Sequence, residues 1–119
     1  MATNPISRDP ELTLHAETAA QECTFYCAGR IVSDTVELLK SEVKPALARF
    51  QTVVLDLTDV SYMDSSGLGA IVGLYVSAKS ANCQLNLINL NKRLKELFSL
   101  TRLGEILTKG RDPDYLTLP

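Results

Sequence analysis

A single histidine, an odd set of three cysteines and no excess of basic residues leave this 119-residue chain short of the usual parts for catalysis, metal binding or nucleic-acid binding. His15 is the only imidazole, and it lies far in sequence from any candidate nucleophile. Acyl transfer at a serine needs a base and an oxyanion site, and neither is in evidence. The paired serines Ser65 and Ser66 follow Tyr62-Met63-Asp64, so no G-x-S-x-G elbow is present. A phosphate-cradling G-x-x-x-x-G-K-[ST] run is also missing. Cys23 and Cys27 are four apart, but no second pair follows, which argues against a zinc site and for buried, reduced thiols. Asp56, Asp59 and Asp64 are separated by a turn and need not converge, and Asp59 is more simply a turn residue. The chain is therefore expected not to be an enzyme and to need no cofactor. A net charge of −2 argues against nucleic acid, which is usually met by a strongly basic face. No apolar run approaches the ~18 residues of a membrane span. The opening MATNPISRDP lacks a basic-then-apolar leader, so a cytoplasmic location is expected.

Apolar residues at 45% and charged residues at 22% describe an ordinary globular chain, and the length suits one domain. The reading is a loose lead-in over residues 1–10, a domain over 11–109 and a poorly ordered tail over 110–119. Leu12, Leu14 and Ala16 alternate with Thr13, His15 and Glu17, giving a half-exposed strand with His15 on its polar side. Glu22 to Ile31 reads as a second strand, antiparallel to the first and closed by Gly29. Ser33 or Asp34, with Glu37 beyond, can cap a helix with an apolar stripe of Val36, Leu39, Val43, Leu47 and Phe50. Pro45 predicts a kink or break in it between Ser41 and Pro45. Gln84 to Asn89 is another strand. Asn89 or Asn91 then caps a helix burying Leu90, Leu94, Leu97, Phe98 and Leu103, with Lys92, Arg93 and Lys95 on its solvated side and Gly104 as its stop. Ile106-Leu107-Thr108 reads as a short last strand. Strands alternating with helices on short connections imply an α/β domain, a mixed sheet with helices packed on it.

The chain is organised around VVLDLTDVSYMDSSGLGAIVGLYV, Val53 to Val76. Val53, Val54, Leu55 and Leu57 read as a buried strand, followed by a polar turn and a short apolar piece, Val60 to Met63. Leu68, Ile71, Val72, Tyr75 and Val76 then recur at helical offsets. Asp64, Ser65 and Ser66 sit at the helix start, where any of them can serve as the N-cap. One cap would suffice, however, and Gly67, Gly69 and Gly73 follow, each interior glycine costing about 1 kcal/mol of helix propensity. A bare helix N-terminus carrying a free hydroxyl suits phosphate chemistry.

This segment resembles the signature of the STAS family, in particular the bacterial anti-sigma factor antagonists, and weaker similarity extends over roughly Leu12 to Leu107. The resemblance implies a single STAS-like α/β domain with a mixed four- to five-stranded sheet and the Asp64–Ser66 turn at an exposed sheet end. It maps the phosphoacceptor onto Ser65, with Asp64, Ser66, Gly67 and Leu68 around it. The loop after the second strand, with Ile31, Val32, Ser33 and Asp34, joins the partner-binding surface. Many antagonists carry an aspartate three residues beyond the strand-end glycine, where this chain has Val32. The implied partners are an anti-sigma factor serine kinase, bound when Ser65 is unmodified so that a sigma factor is released, and a serine phosphatase that restores the hydroxyl. The nucleotide belongs to the kinase. The alternative is a STAS module that is never phosphorylated, a scaffold or subunit of a stressosome-like or lipid-transport assembly. Oligomeric state, sigma factor and signal are left open.

Overall fold

A computed structural model describes the backbone of residues 4–9, 11–99 and 115–118, and the side chains of residues 11–99. Among these residues the order is β1 (Asn4–Asp9), β2 (Leu12–Ala19), β3 (Glu22–Ile31), α1 (Val36–Leu47), β4 (Thr52–Met63), α2 (Ser65–Ser80), β5 (Gln84–Ile88), α3 (Lys92–Ser99) and β6 (Tyr115–Leu118). The strands form one sheet in which each lies beside its neighbour in sequence. The β3–β4 and β4–β5 pairs are parallel, and the outer pairs are antiparallel. Parallel neighbours require a crossover, and α1 and α2 supply the two that this sheet needs. The α/β class and mixed sheet expected from the sequence are those observed.

The core follows from the period-two pattern of the strands. Leu12 and Leu14 of β2 and Cys23, Phe25 and Cys27 of β3 point to one side and are buried. Val53, Leu55 and Leu57 of β4 and Leu85 and Leu87 of β5 continue that layer. Leu39, Val43, Ala46 and Leu47 of α1 close over it, as do Ala70, Ile71, Leu74 and Ala78 of α2. The run Val53-Val54-Leu55 is buried throughout, as a central strand of a parallel pair requires. α3 adds Leu94 and Phe98, and Asn91 is its cap: Leu94 N–H donates to Asn91 Oδ1 at 2.8 Å.

The sheet has six strands where four to five were expected. The segments read as lead-in and tail contribute its edges: β1 pairs with β2, and β6 with β5. Proline is tolerated at such edges, and Pro5 sits next to the register shift in β1. The strand expected over Glu22 to Ile31 is β3, and Gly29, expected to close it, lies inside it. Gly29 takes φ +118°, a Cβ there would collide with the Glu11 carbonyl oxygen, and the next N–H, of Arg30, donates to that oxygen at 2.7 Å. The polar turn expected at Thr58-Asp59 is an irregularity within one continuous β4, where the register against β3 slips. α1 is unbroken through Pro45, because the proline sits in the last turn and removes one backbone bond two residues before the helix ends. The helix start is also not as expected: the N-cap position belongs to Thr35, not to Ser33 or Asp34. Leu103, Gly104 and Ile106-Leu107-Thr108 lie outside the described residues.

Candidate functional site

β3 and β4 are parallel, so Ile31 and Met63 end side by side at the carboxyl end of the two central strands. Open α/β sheets bind their ligands beyond such carboxyl ends. The chain leaves β4 at Met63, and Asp64 turns it directly into α2. Asp64 is extended, at φ −106° and ψ −171°, and its carboxylate accepts the Gly67 N–H at 3.0 Å. Its own carbonyl accepts the Leu68 N–H at 3.0 Å, which starts the helix ladder. Asp64 is therefore the cap.

With the cap role filled, Ser65 and Ser66 occupy the first two helical positions, and both are exposed. Among the described residues, neither hydroxyl makes a hydrogen bond. The first turn of α2 carries no acidic residue, so its free N–H groups and dipole face outward beside two unengaged hydroxyls. Gly67 is buried beneath them. A Cβ there would collide with the Ile31 carbonyl oxygen and stand 2.6 Å from Met63 Cγ. The glycine is what lets the helix start sit directly on the end of β3. The Asp64 N–H completes the junction by donating to the same Ile31 carbonyl at 3.3 Å. Leu68 is half-buried and packs against the core.

The loop from Ile31 to Thr35 borders this junction. Ile31 and Val32 are buried, at 0% and 6% exposure, so they shape the junction from beneath and offer a visitor almost no surface. Ser33 and Asp34 are exposed, which makes Asp34 the one outward carboxylate on the loop. Ser65, Ser66, Ser33 and Asp34 are thus presented to solvent, and Asp64, Gly67, Ile31 and Val32 hold them there.

Two neighbours escaped the sequence reading. Tyr62 is 38% exposed and lies beneath the Arg30 guanidinium, 5.4 Å from its ring centroid; Arg30 also pairs with Glu11 at 3.5 Å. Thr35 is wholly buried, and its hydroxyl binds the loop backbone. The only signal for it was a threonine just ahead of a helical stripe, which reads as an ordinary cap.

The bare side of α2 continues from the serines. Cβ atoms built at Gly69 and Gly73 would meet nothing within 4 Å, and Val76 is 57% exposed. Chemically the patch is a neutral, hydroxyl-bearing helix start. The cysteines stand apart in the body of the fold. All three are free and buried, and burial pushes each thiol up, Cys27 to about 12. Such thiols are poor nucleophiles at neutral pH. Among the described residues no group of three or more His, Cys, Asp or Glu side chains could hold a metal ion, and no helix is long and apolar enough to cross a membrane.

The model of the STAS domain family matches residues 13–115. The anti-sigma-B factor antagonist of Listeria monocytogenes is 45% identical over 88 residues, covering 70% of this chain and 74% of that protein. The anti-sigma-B factor antagonist of Bacillus subtilis is 38% identical over 80 residues, covering 67% and 73%. Among solved structures, the Bacillus cell fate determinant SpoIIAA in its phosphorylated form superposes with a TM-score of 0.63 at 20% identity, covering 77% of this chain and 86% of that one.

Proposed function

The chain belongs to the STAS domain family, and we propose that it is an anti-sigma factor antagonist whose docking surface is switched by a phosphate on Ser65. It binds an anti-sigma factor kinase in the cytoplasm while Ser65 is unmodified, and so frees a sigma factor. It is a binding protein, and the phosphoryl group, its nucleotide and the phosphatase that removes it all come from partners. The observation that carries this reading is the division of labour at the start of α2: Asp64 takes the cap and leaves the Ser65 hydroxyl exposed and unbonded among the described residues.

The switch follows from electrostatics. A phosphate on Ser65 adds about −1.5 to −2 charges at pH 7. At the first position of α2, that charge meets free N–H groups and the positive end of the dipole, so the fold tolerates it. A docked partner does not. A dianion beside Asp64, in an interface shaped around neutral hydroxyls, is desolvated without a cation to meet it. That costs several kcal/mol, and each 1.4 kcal/mol is a tenfold loss of affinity.

The test is to incubate the protein with ATP and the anti-sigma factor kinase of its own cell and to map the modified residue by mass spectrometry. Modification at Ser65, abolished by Ser65→Ala without loss of kinase binding, supports the reading. Ser65→Asp should bind at least about tenfold more weakly. A Ser65→Asp variant that binds as well as wild type removes the switch. A second reading, a STAS scaffold that is never phosphorylated, draws on Val32, which is buried where many antagonists place an aspartate. A kinase that binds the chain yet never modifies it would favour that scaffold.

A further inference from the structure

Thr35 stands at the N-cap position of α1 and does not cap it. A threonine there normally accepts an N–H from the first turn of its own helix. Here the hydroxyl turns back into the loop that precedes it. It is completely buried, accepts the Val32 N–H at 2.9 Å and donates to the Arg30 carbonyl at 2.8 Å, with the Val32 carbonyl a longer alternative at 3.2 Å. A hydroxyl has one proton, so the short bond to Arg30 takes it and a lone pair serves Val32. The Thr35 and Val36 N–H groups both close on the Val32 carbonyl, at 2.9 and 3.0 Å. Arg30, Val32 and Thr35 are thereby tied at one point, with Ile31 held between them.

Ile31 is where the loop meets the acceptor. Its carbonyl receives the Asp64 N–H, and the Cβ-free face of Gly67 rests on it. Asp64 in turn caps the helix that begins at Ser65. The chain of contacts runs from the Thr35 hydroxyl through the Arg30–Val32 backbone to the Ile31 carbonyl, then to Asp64 and Ser65. The same hydroxyl sets the turn that holds Ser33 and Asp34 outward.

We propose that Thr35 is a positioning residue for docking at Ser65, its buried hydroxyl forgoing the α1 cap in order to fix the Arg30–Asp34 loop against the start of α2. A local rule broken at one helix is offset by a rigid surface at the other. The inference rests on the reading of Ser65 as the phosphoacceptor. A loop fixed in advance need not be ordered when the partner arrives, so the hydroxyl acts on affinity and leaves the phosphoryl-transfer step alone.

The test uses the full chain with the anti-sigma factor kinase of its own cell and ATP. Thr35→Val deletes the hydroxyl and keeps the shape; Thr35→Ser keeps the hydroxyl. With both variants folded at the assay temperature, Thr35→Val should raise KM for the antagonist by about tenfold at nearly unchanged kcat, the signature of lost uniform binding, and Thr35→Ser should restore it. A folded Thr35→Val with the wild-type KM overturns the proposal, because a purely structural threonine would change melting alone. Amide exchange on the wild type gives a second check that does not depend on any variant folding. The Val32 N–H should be protected, and exchange at the rate of an open loop also overturns the proposal. The two readings fail differently. A wild-type chain that the kinase neither binds nor modifies removes the acceptor role and this inference together, whereas a modified wild type beside an unaffected Thr35→Val removes only this inference.

Discussion

The same substitution at two glycines of α2, Gly67→Ala and Gly69→Ala, should change stability in opposite directions. At Gly67 the added methyl collides with the Ile31 carbonyl oxygen and lies 2.6 Å from Met63 Cγ and 3.0 Å from Ile31 Cγ2. Met63 can rotate partly away. The carbonyl cannot, because it belongs to the β3–β4 register and accepts the Asp64 N–H. Overpacking of this kind costs about 1–3 kcal/mol, and a rigid backbone obstacle belongs at the upper end. Replacing glycine in a helix returns up to about 1 kcal/mol. The net expectation for Gly67→Ala is a loss of about 2 kcal/mol, or roughly 8 °C in Tm for a chain of this size. At Gly69 the methyl meets nothing within 4 Å, so only the propensity gain remains. Gly69→Ala should gain about 0.5–1 kcal/mol, roughly 2–4 °C. Urea unfolding followed by circular dichroism, with melting curves alongside, reads both. A Gly67→Ala protein as stable as wild type would mean that the helix start does not rest on β3, and a destabilised Gly69→Ala would mean that the bare face of α2 is covered.

Asp64→Ala removes the acceptor of the Gly67 N–H and should cost about 1 kcal/mol in urea unfolding, whereas Asp64→Asn, which still accepts that bond, should cost only a few tenths; equal losses would refute the capping geometry. Ser65→Asp should leave the melting temperature within about 2 °C of wild type, since a carboxylate at the helix start is welcomed by the dipole; a large drop would place the hydroxyl in an unrecognised structural bond. Cys27, its thiol raised from 9.0 to about 12, should resist iodoacetamide in the native state at pH 8 and react on unfolding. The fold keeps the proton that the unfolded chain releases, so this cysteine's contribution is full below pH 9 and is lost as pH climbs toward 12, by at most about 1.4 kcal/mol per pH unit. Cys27→Ala should flatten that alkaline slope in pH-dependent unfolding.

Much of the molecule was legible wherever one physical signal dominated. The alternation from Leu12 and the apolar-polar pattern of Glu22 to Ile31 gave β2 and β3, and Asp64 before a glycine-rich apolar run gave the junction that carries the site. The edges of the sheet were not legible. Asn4–Asp9 holds a proline among polar residues, and only tertiary pairing makes it a strand. The buried face of α2 was obscured for the opposite reason. The helix is apolar nearly all round, so its periodicity could not choose between Val76, which is exposed, and Leu74, which is buried. Thr35 was hidden because a cap and a loop latch use the same residue type, and only the direction of the hydroxyl separates them.

The sequential order of the strands has a consequence for how the molecule is made. No strand must wait for a later one to be inserted beside it, so a chain emerging from the ribosome can zip from one edge of the sheet toward the other. The loop, the junction and the first turn of α2 are all encoded before β5 begins at Gln84. The proposed docking surface is therefore synthesised in full while β5, α3 and β6 are still to be translated.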